Sequence, residues 1–318
     1  MSWLDPVSNP LLWVEAFVLL AALVLDRLIG DPVYRWHPVR LMGDFVGLLE
    51  PWLLPKGRLG GLMLVLFGAV PLALLGYGVD SLPLWLSLVT GLLVYSLLGY
   101  GDLVAHVDRV TQALQASDLP QARQQVACLV GRDTENMEEP AISRACLESL
   151  SENFCDGFLA PLFWFLVAGT PGLLVFKWVS TLDSMVGYKT PKYSQYGFFA
   201  AKTDDLLNWI PARLSWLLLS LGAGLCGFAG RQAIKTGFLE HHKLDSPNSG
   251  WPEAALAGAL KVRLLGPVMR HGEIEDSPWL GEDSFSPATG VTLRQALRLT
   301  DVTWLVSVIL VGGGLLCL

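Results

Sequence analysis

Long apolar runs alternate with short, dense polar clusters along this chain. Leu11–Leu25 is apolar apart from Glu15 and predicts a short first span. Leu59–Val79 and Leu82–Tyr100 are each close to the ~20 residues that a spanning helix needs. Asp80 and Ser81 leave only a tight turn between them, which predicts a helical hairpin. Asp102–Val130 is polar, with Val107, Val110 and Leu114, then Val126 and Leu129, at helical spacing, and predicts amphipathic surface helices. Phe158–Val179 is apolar but is broken by Gly169-Thr170-Pro171-Gly172. A re-entrant or surface-buried segment is expected there rather than a kinked span, because irregular backbone at membrane depth usually lines a site. Leu214–Ala229 is short and Gly-rich, Arg231–Thr300 is polar with Pro and Gly throughout, and Val302–Leu318 is a final apolar span. The pattern predicts an all-α, polytopic integral membrane protein of about four to six apolar helices. Amphipathic surface helices and a polar site at the cytoplasmic face complete a single integral body over 1–318.

Composition sharpens this picture. Mean hydropathy is +0.46, and only 16% of residues are charged. Yet polar clusters crowd Gly131–Arg213. A charge at the bilayer centre costs roughly 2.5–3.5 kcal/mol on insertion scales, so these clusters belong in loops, surface helices or a wet site. A net charge of −7 argues against a nucleic-acid role. The five cysteines form no CxxC pair and read as ordinary reduced thiols. The N-terminal MSWLDPVSNP has no basic region before its apolar stretch, against a cleaved signal peptide. The loop Asp26–Arg58 carries Arg27, Arg35, Arg40, Lys56 and Arg58, and the tail before the first span carries no basic residue. The positive-inside rule therefore places the tail outside and the loop in the cytoplasm.

Five polar constellations could carry chemistry. Asp26-Arg27-Leu28-Ile29-Gly30-Asp31-Pro32, then His37, sets two carboxylates and an imidazole just past the first span, a set that can ligate a metal or trade protons. Gly-Asp-Pro is also plain turn chemistry. Gly131-Arg132-Asp133-Thr134 precedes a helix opened by Pro140, on which Arg144, Glu148 and Glu152 share one face, followed by Asn153 and Asp156. Paired acids can hold Mg²⁺, and a solvated ion-paired face is the alternative. Ser180–Lys189 combines Asp183, three hydroxyls and Lys189 at the end of an apolar run. Lys189 could neutralise a phosphate and Asp183 could bind its metal. The P-loop spacing is absent. In Ala201–Arg213, Thr203 is a plausible N-cap, and Asp204 and Asn208 share a face. Asp204 and Asp205 suit a cation, or simply the helix dipole. His241-His242 and Ser246–Pro252 offer two turns that could cradle an anion or form a surface loop. Gly222–Gly227 matches G-x-G-x-x-G literally but lies inside an apolar span with no strand before it, so helix packing by small residues explains it better.

In this order the motifs resemble the CobD/CbiB family, the adenosylcobinamide-phosphate synthases of cobalamin biosynthesis. The likeness rests on DRLIGDP with HPV and G at 26–43, GRDT at 131–134 and RACLESLSENFCDGFLAPLF at 144–163. It continues through TLDSMVGYK at 181–189, AAKTDDLLNWIPAR at 200–213 and SPNSGWPEAALAGAL at 246–260. Ser180 stands where an Asn commonly precedes TLDS, and VMRHGE follows Gly266-Pro267 where a tyrosine near a glycine is expected. The intact polar motifs argue against the related AmpE-like signalling branch.

The resemblance implies an inner-membrane, multi-pass enzyme that joins adenosylcobyric acid to (R)-1-aminopropan-2-ol or its O-phosphate through an amide bond, driven by ATP and Mg²⁺. On that reading Asp183, Asp204 and Asp205 are the Mg²⁺ candidates, and Lys189, Arg132 and Arg213 the phosphate clamps. Glu148 or Glu152 orients the amine or takes its proton, with His37 as the reserve base. Asn153, Asp156 and Asn248 position substrate, and Asp133 and Asp31 belong to the same substrate-binding set. Expected partners are the corrinoid, the aminoalcohol, membrane lipid, and a second copy of the chain or other cobalamin-assembly enzymes. The competing class is a membrane sensor or transporter without ligase activity, although no inverted repeat is visible.

Overall fold

The computed structural model describes residues 10–31, 34–83, 86–270 and 272–317. The N-terminal tail, Pro32 of the first motif, Leu84 and Trp85 of the expected hairpin arm, and His271 of VMRHGE lie outside the described residues. Helices dominate. In chain order they are α1 Pro10–Ile29, α2 Pro38–Leu53, α3 Gly57–Asp80, α4 Ser87–Leu97, α5 Tyr100–Gln115, α6 Leu119–Val126 and α7 Glu139–Asn153. Then follow α8 Ala160–Val186, α9 Phe198–Leu207, α10 Trp209–Leu225, α11 Gly230–Glu240, α12 Gly250–Leu260 and α13 Gly290–Cys317. The strands described are two short antiparallel pairs, β1 Leu264–Leu265 with β4 Trp279–Leu280, and β2 Val268–Arg270 with β3 Glu273–Glu275. Among the described residues, four helical stretches are long and apolar enough to cross a membrane: Pro38–Asp80, Ser87–Gln115, Glu139–Val186 and Gly290–Gly314. The chain is an all-α membrane protein.

Contacts divide it into two compact units. The first takes the chain up to Gly99, Asp156–Asn208 and Val311–Leu318, and the second takes Tyr100–Cys155 and Trp209–Leu310. In the first unit α3 packs along α8, α1 against α4, and α9 against α8 and α3. Hydrocarbon does not drive helices together as water does, so close approach through small residues does the work. A side chain at Gly61 would meet the Tyr196 carbonyl, one at Gly68 the Trp178 ring, and one at Gly76 the backbone of Pro171. Trp178 Nε1 donates to the Val65 carbonyl at 3.1 Å and locks that face. Gly68→Leu is therefore expected to split α3 from α8 by overpacking, at about 1–3 kcal/mol or more. Gly78→Ala, with open space around its Cβ, is expected to be neutral. Melting curves of the detergent-solubilised variants check the contrast.

The break in α8 is sharp. Ala168 and Gly169 leave helical geometry, Gly169 at φ +64. The backbone of Gly172 comes against the Trp164 carbonyl, eight residues earlier, where a continuous helix would separate them by about 12 Å. The Thr170 N–H, an orphan donor at the start of the second arm, is taken by Asp80 Oδ2 at 3.2 Å. The chain thus turns back on itself at the Gly-Thr-Pro-Gly signal instead of bending gently. The second arm of the expected 59–100 hairpin is shorter than its apolar run: α4 ends at Leu97, Leu98 is extended, and a new helix starts at Tyr100.

In the second unit α10, α11 and α12 form one packed group, and α5, α6 and α7 another that meets α12 through α7. The predicted amphipathic stripe is real, with Val107, Val110, Leu114 and Val126 buried. Helix α12 is buried on every side from Gly250 to Ala259. The literal glycine motif does serve packing, since a side chain at Gly222 would strike Thr303.

Candidate functional site

Helix α7 starts where Pro140 fixes the first turn and Glu139 faces the positive helix end. Its Arg144–Glu148–Glu152 face runs from half-buried Arg144 to exposed Glu152, with a buried carboxylate between them. Glu148 is only 4% exposed. Its Oε2 accepts from Arg132 Nη2 at 2.7 Å, its Oε1 accepts from the Leu265 N–H at 2.7 Å, and Arg144 Nε lies 4.0 Å away. Both oxygens are engaged, so Glu148 anchors cations and backbone and is poorly placed to take a proton. Leu265 holds a left-handed φ of +55, a conformation costing of order 1–3 kcal/mol for a non-glycine residue. The Glu148 bond holds it there.

Around this pair lies a cavity of about 290 Å³, lined by Arg132, Glu148, Glu152, Ser249, Glu253 and Arg270 among others. Glu253 is 3% exposed and comes from buried α12. Asp133, expected to bind substrate, pins the β2–β3 hairpin: its N–H donates to the Met269 carbonyl at 3.1 Å and its Oδ2 accepts from Gly272 N at 2.8 Å. Asn153 Nδ2 donates to the Ser149 carbonyl and hydroxyl one turn back. Glu152 reaches the cavity and Asn153 does not line it.

Arg213 and Asn248 do come together. Arg213 Nη1 donates to the Trp209 carbonyl at 2.6 Å and to Asn248 Oδ1 at 3.3 Å. Its guanidinium lies over the rings of Trp209 at 4.2 Å and Trp251 at 4.9 Å. His241 stacks on the other aromatic partner of this group, Trp251, at 3.7 Å, with Nδ1 against the Gly237 and Phe238 carbonyls. The His241-His242 turn is therefore part of an aromatic stack and helix end.

The first unit carries two further clusters. Helix α1 ends with Gly30 at φ +70, its N–H bonded back to the Asp26 carbonyl and its own carbonyl accepting from Tyr95 OH at 2.7 Å. This left-handed glycine stop is followed at once by Asp31, whose Oδ2 lies 3.0 Å from His37 Nε2. That nitrogen also lies 2.9 Å from the Ser96 carbonyl, which can only accept, so Nε2 carries the proton. Lys177, within the apolar second arm of α8, feels the charges of Asp156, Asp26 and Asp31. Asp26 is fully buried. Asp156 sits on a single π turn, Phe154–Leu159, that follows α7. Such turns recur at functional positions.

The second cluster joins Asp183 on α8 to Asp205 on α9, close enough for their charges to interact. Asp204 Oδ2 accepts from Asn208 Nδ2 at 3.0 Å, as their shared face predicts. Asp205 accepts from Lys202 Nζ at 2.8 Å, and that bond raises the Lys202 ammonium above its ordinary value. Gly187, just past the end of α8, leaves no room for a Cβ beside the Asp183 carboxylate. Lys189 is exposed in the following turn. One expectation is corrected here. Thr203 lies in the middle of α9, whose N-cap is Gly197. Of the hydroxyls before Lys189, Thr181 and Ser184 bond to helix carbonyls four residues back, at 2.7 and 2.9 Å, and so are not held out for a ligand. Among the described residues, no three His, Cys, Asp or Glu converge as a preformed metal cage.

The sequence alone does not single out Lys177, Glu253 or Arg270. Lys177 carries one available signal, a charge inside an apolar run.

The CobD/Cbib protein family model matches residues 19–300. Cobalamin biosynthesis protein CobD of Photorhabdus laumondii is 38% identical over 294 residues, 89% of each chain. That of Geobacter metallireducens is 40% identical, covering 89% of this chain and 91% of its own. That of Rhodobacter capsulatus is 40% identical over 314 residues, 92% of this chain and 98% of its own. No solved structure matches the chain. A match of this length, carried by relatives aligned nearly end to end, means that the chain belongs to the CobD/Cbib family of cobalamin biosynthesis.

Proposed function

We propose that the chain is the amide-forming enzyme of that pathway, joining adenosylcobyric acid to (R)-1-aminopropan-2-ol or its O-phosphate with ATP and Mg²⁺, at the inner membrane. Family membership supports the pathway and a corrinoid substrate. The observation that carries the finer reading is the mixed-charge cavity in the second unit, where two guanidiniums and the carboxylates of Glu152 and Glu253 share one small space. A sensor needs no such pairing of signs. Amide formation with a short amine does, because the amine arrives as an ammonium and must leave its proton behind. Glu152 is the acceptor best placed for it, since Glu148 is spent on Arg132 and Leu265.

Asp183, Asp204 and Asp205 are oxygen donors of the type Mg²⁺ takes, and Asp183 and Asp205 lie close enough for their charges to interact. Mg²⁺ keeps several waters and binds through one or two carboxylates plus substrate phosphates, so a partial carboxylate set fits it. The bound metal would neutralise phosphate charge during activation of the corrinoid carboxylate. Lys202, held by Asp205, and exposed Lys189 supply further positive charge on the same unit. Lipid is a standing partner, and self-association or association with other cobalamin-assembly enzymes is part of the proposal.

The test is turnover. In membranes lacking the endogenous synthase, with adenosylcobyric acid, aminoalcohol and ATP supplied, the chain is expected to yield an amide product detectable by mass. Asp183→Ala is expected to lower the rate at least about 100-fold, the scale for losing a charge that acts on the transition state, while the protein stays folded. Folded wild-type protein without product would return the chain to the sensor or transport class.

A further inference from the structure

Arg270 sits at the end of strand β2, on a hairpin whose β3 residues are all exposed. It lines the same cavity as Arg132, Glu152 and Glu253. An exposed two-stranded hairpin is marginal alone, so something must fix it. Asp133, from the Gly131–Thr134 segment that also supplies Arg132, does so with one backbone bond to Met269 and one side-chain bond from Gly272. Those two contacts flank Arg270 in sequence. Glu275 steadies the guanidinium across the ladder at 3.3 Å. Arg132 spends one N–H on Glu148, out of five that a guanidinium offers.

Size restricts the occupant. At about 290 Å³ the cavity lies at the lower limit of the roughly 300–1,000 Å³ used by drug-sized ligands. Charge restricts it further. Arg132, held by Glu148, and Arg270, held by Glu275, keep further N–H groups that can meet a compact anion, most effectively a phosphate. Glu152 and the buried Glu253 call for a cation in the same space. The matching class is a short aliphatic ammonium that also carries a phosphate.

We propose that strands β2 and β3 form a pinned flap that brings Arg270 over this cavity, that Arg270 with Arg132 selects the anionic group of a small phospho-amine, and that Asp133 is the positioning residue for Arg270. The inference deepens the proposed function and rests on it for the identity of the amine. Arg270 is specificity-determining and Asp133 acts through it, which reassigns the Asp of the Gly-Arg-Asp-Thr segment from ligand contact to placement.

The experiment uses the full chain in detergent with two probes, 1-aminopropan-2-ol and its O-phosphate, in equilibrium binding and in turnover. Wild type is expected to bind the phosphate form more tightly. Arg270→Ala is expected to weaken the phosphate form about 10- to 100-fold, the worth of a charge-assisted bond, and to leave the free aminoalcohol and the KM for ATP unmoved. Asp133→Ala is expected to shift the phosphate form in the same direction, and Asp133→Asn, which keeps an acceptor for Gly272, to restore most of it. Equal weakening of both probes in Arg270→Ala, or no change in either, overturns the assignment. An Asp133→Ala protein that loses thermal stability without shifting the preference between probes overturns the positioning role. Phosphate-selective binding without any amide product would leave the subsite standing and sink the proposed reaction.

Discussion

Glu148→Ala is expected to be the most damaging single truncation in the second unit. It removes one carboxylate and leaves three groups stranded: Arg132 and Arg144, whose charges repel each other, and the N–H of a strained Leu265. Deleting one member of a buried ion pair typically costs about 3–5 kcal/mol, because the partner charge stays buried without compensation. That is a large part of the margin by which a domain stays folded. The expected result is a lower melting temperature, release of the β1–β4 region, and loss of turnover with it. Glu148→Gln separates two roles. The amide can still accept from Leu265 but cannot neutralise Arg132, so stability and activity are expected to fall together and by less than in the alanine variant. Full stability with turnover abolished in Glu148→Gln would instead make Glu148 the proton acceptor and displace Glu152 from that role.

What the sequence made legible follows from the range of the interactions involved. Apolar runs of spanning length announced α3 and the broken α8, because both features are encoded within one segment: hydropathy in the first, Gly-Thr-Pro-Gly in the second. The stripe Arg144–Glu148–Glu152 was legible for the same reason, as helical spacing is local. The burial of Glu148 was not, since that depends on Leu265 and α12, more than a hundred residues on. Local hydroxyl chemistry misled in the opposite direction. Thr181 and Ser184 look like ligand groups in a row, yet a serine or threonine within a helix readily returns its proton to the carbonyl four residues back. Thr203 resembled a cap because it precedes two acids, but α9 had already begun five residues earlier. Ser246–Pro252 read as a turn, and it also starts the most enclosed helix of the second unit. Arg270 sat in a stretch that departs from the family pattern and offered no signal by itself. Only the placement of the hairpin against α7 and α12 residues in one cavity gives it a role.

The same reasoning makes Lys177 the residue of the first unit whose neutralisation should matter most. Its ammonium lies within the field of Asp26, Asp31 and Asp156, and the second arm of α8 around it is apolar, with Phe176, Trp178 and Val179 buried. Ionised groups at membrane depth are kept where they pair or act. Lys177→Met would remove that positive charge from among the carboxylates, with the His37 contact to Asp31 in partial compensation. A loss of stability is expected, since fully buried Asp26 would lose an opposing charge. The variant should accumulate poorly in membranes and melt early. Lys177→Arg keeps the charge and should fold. Adding Asp26→Asn to Lys177→Met removes one of the opposing charges and should recover part of the lost stability. Turnover then divides the explanations. If folding returns and amide formation does not, the ammonium acts on substrate. If both return, Lys177 serves charge balance alone. A Lys177→Met protein as stable and as active as wild type would show that the four charged groups are not energetically linked.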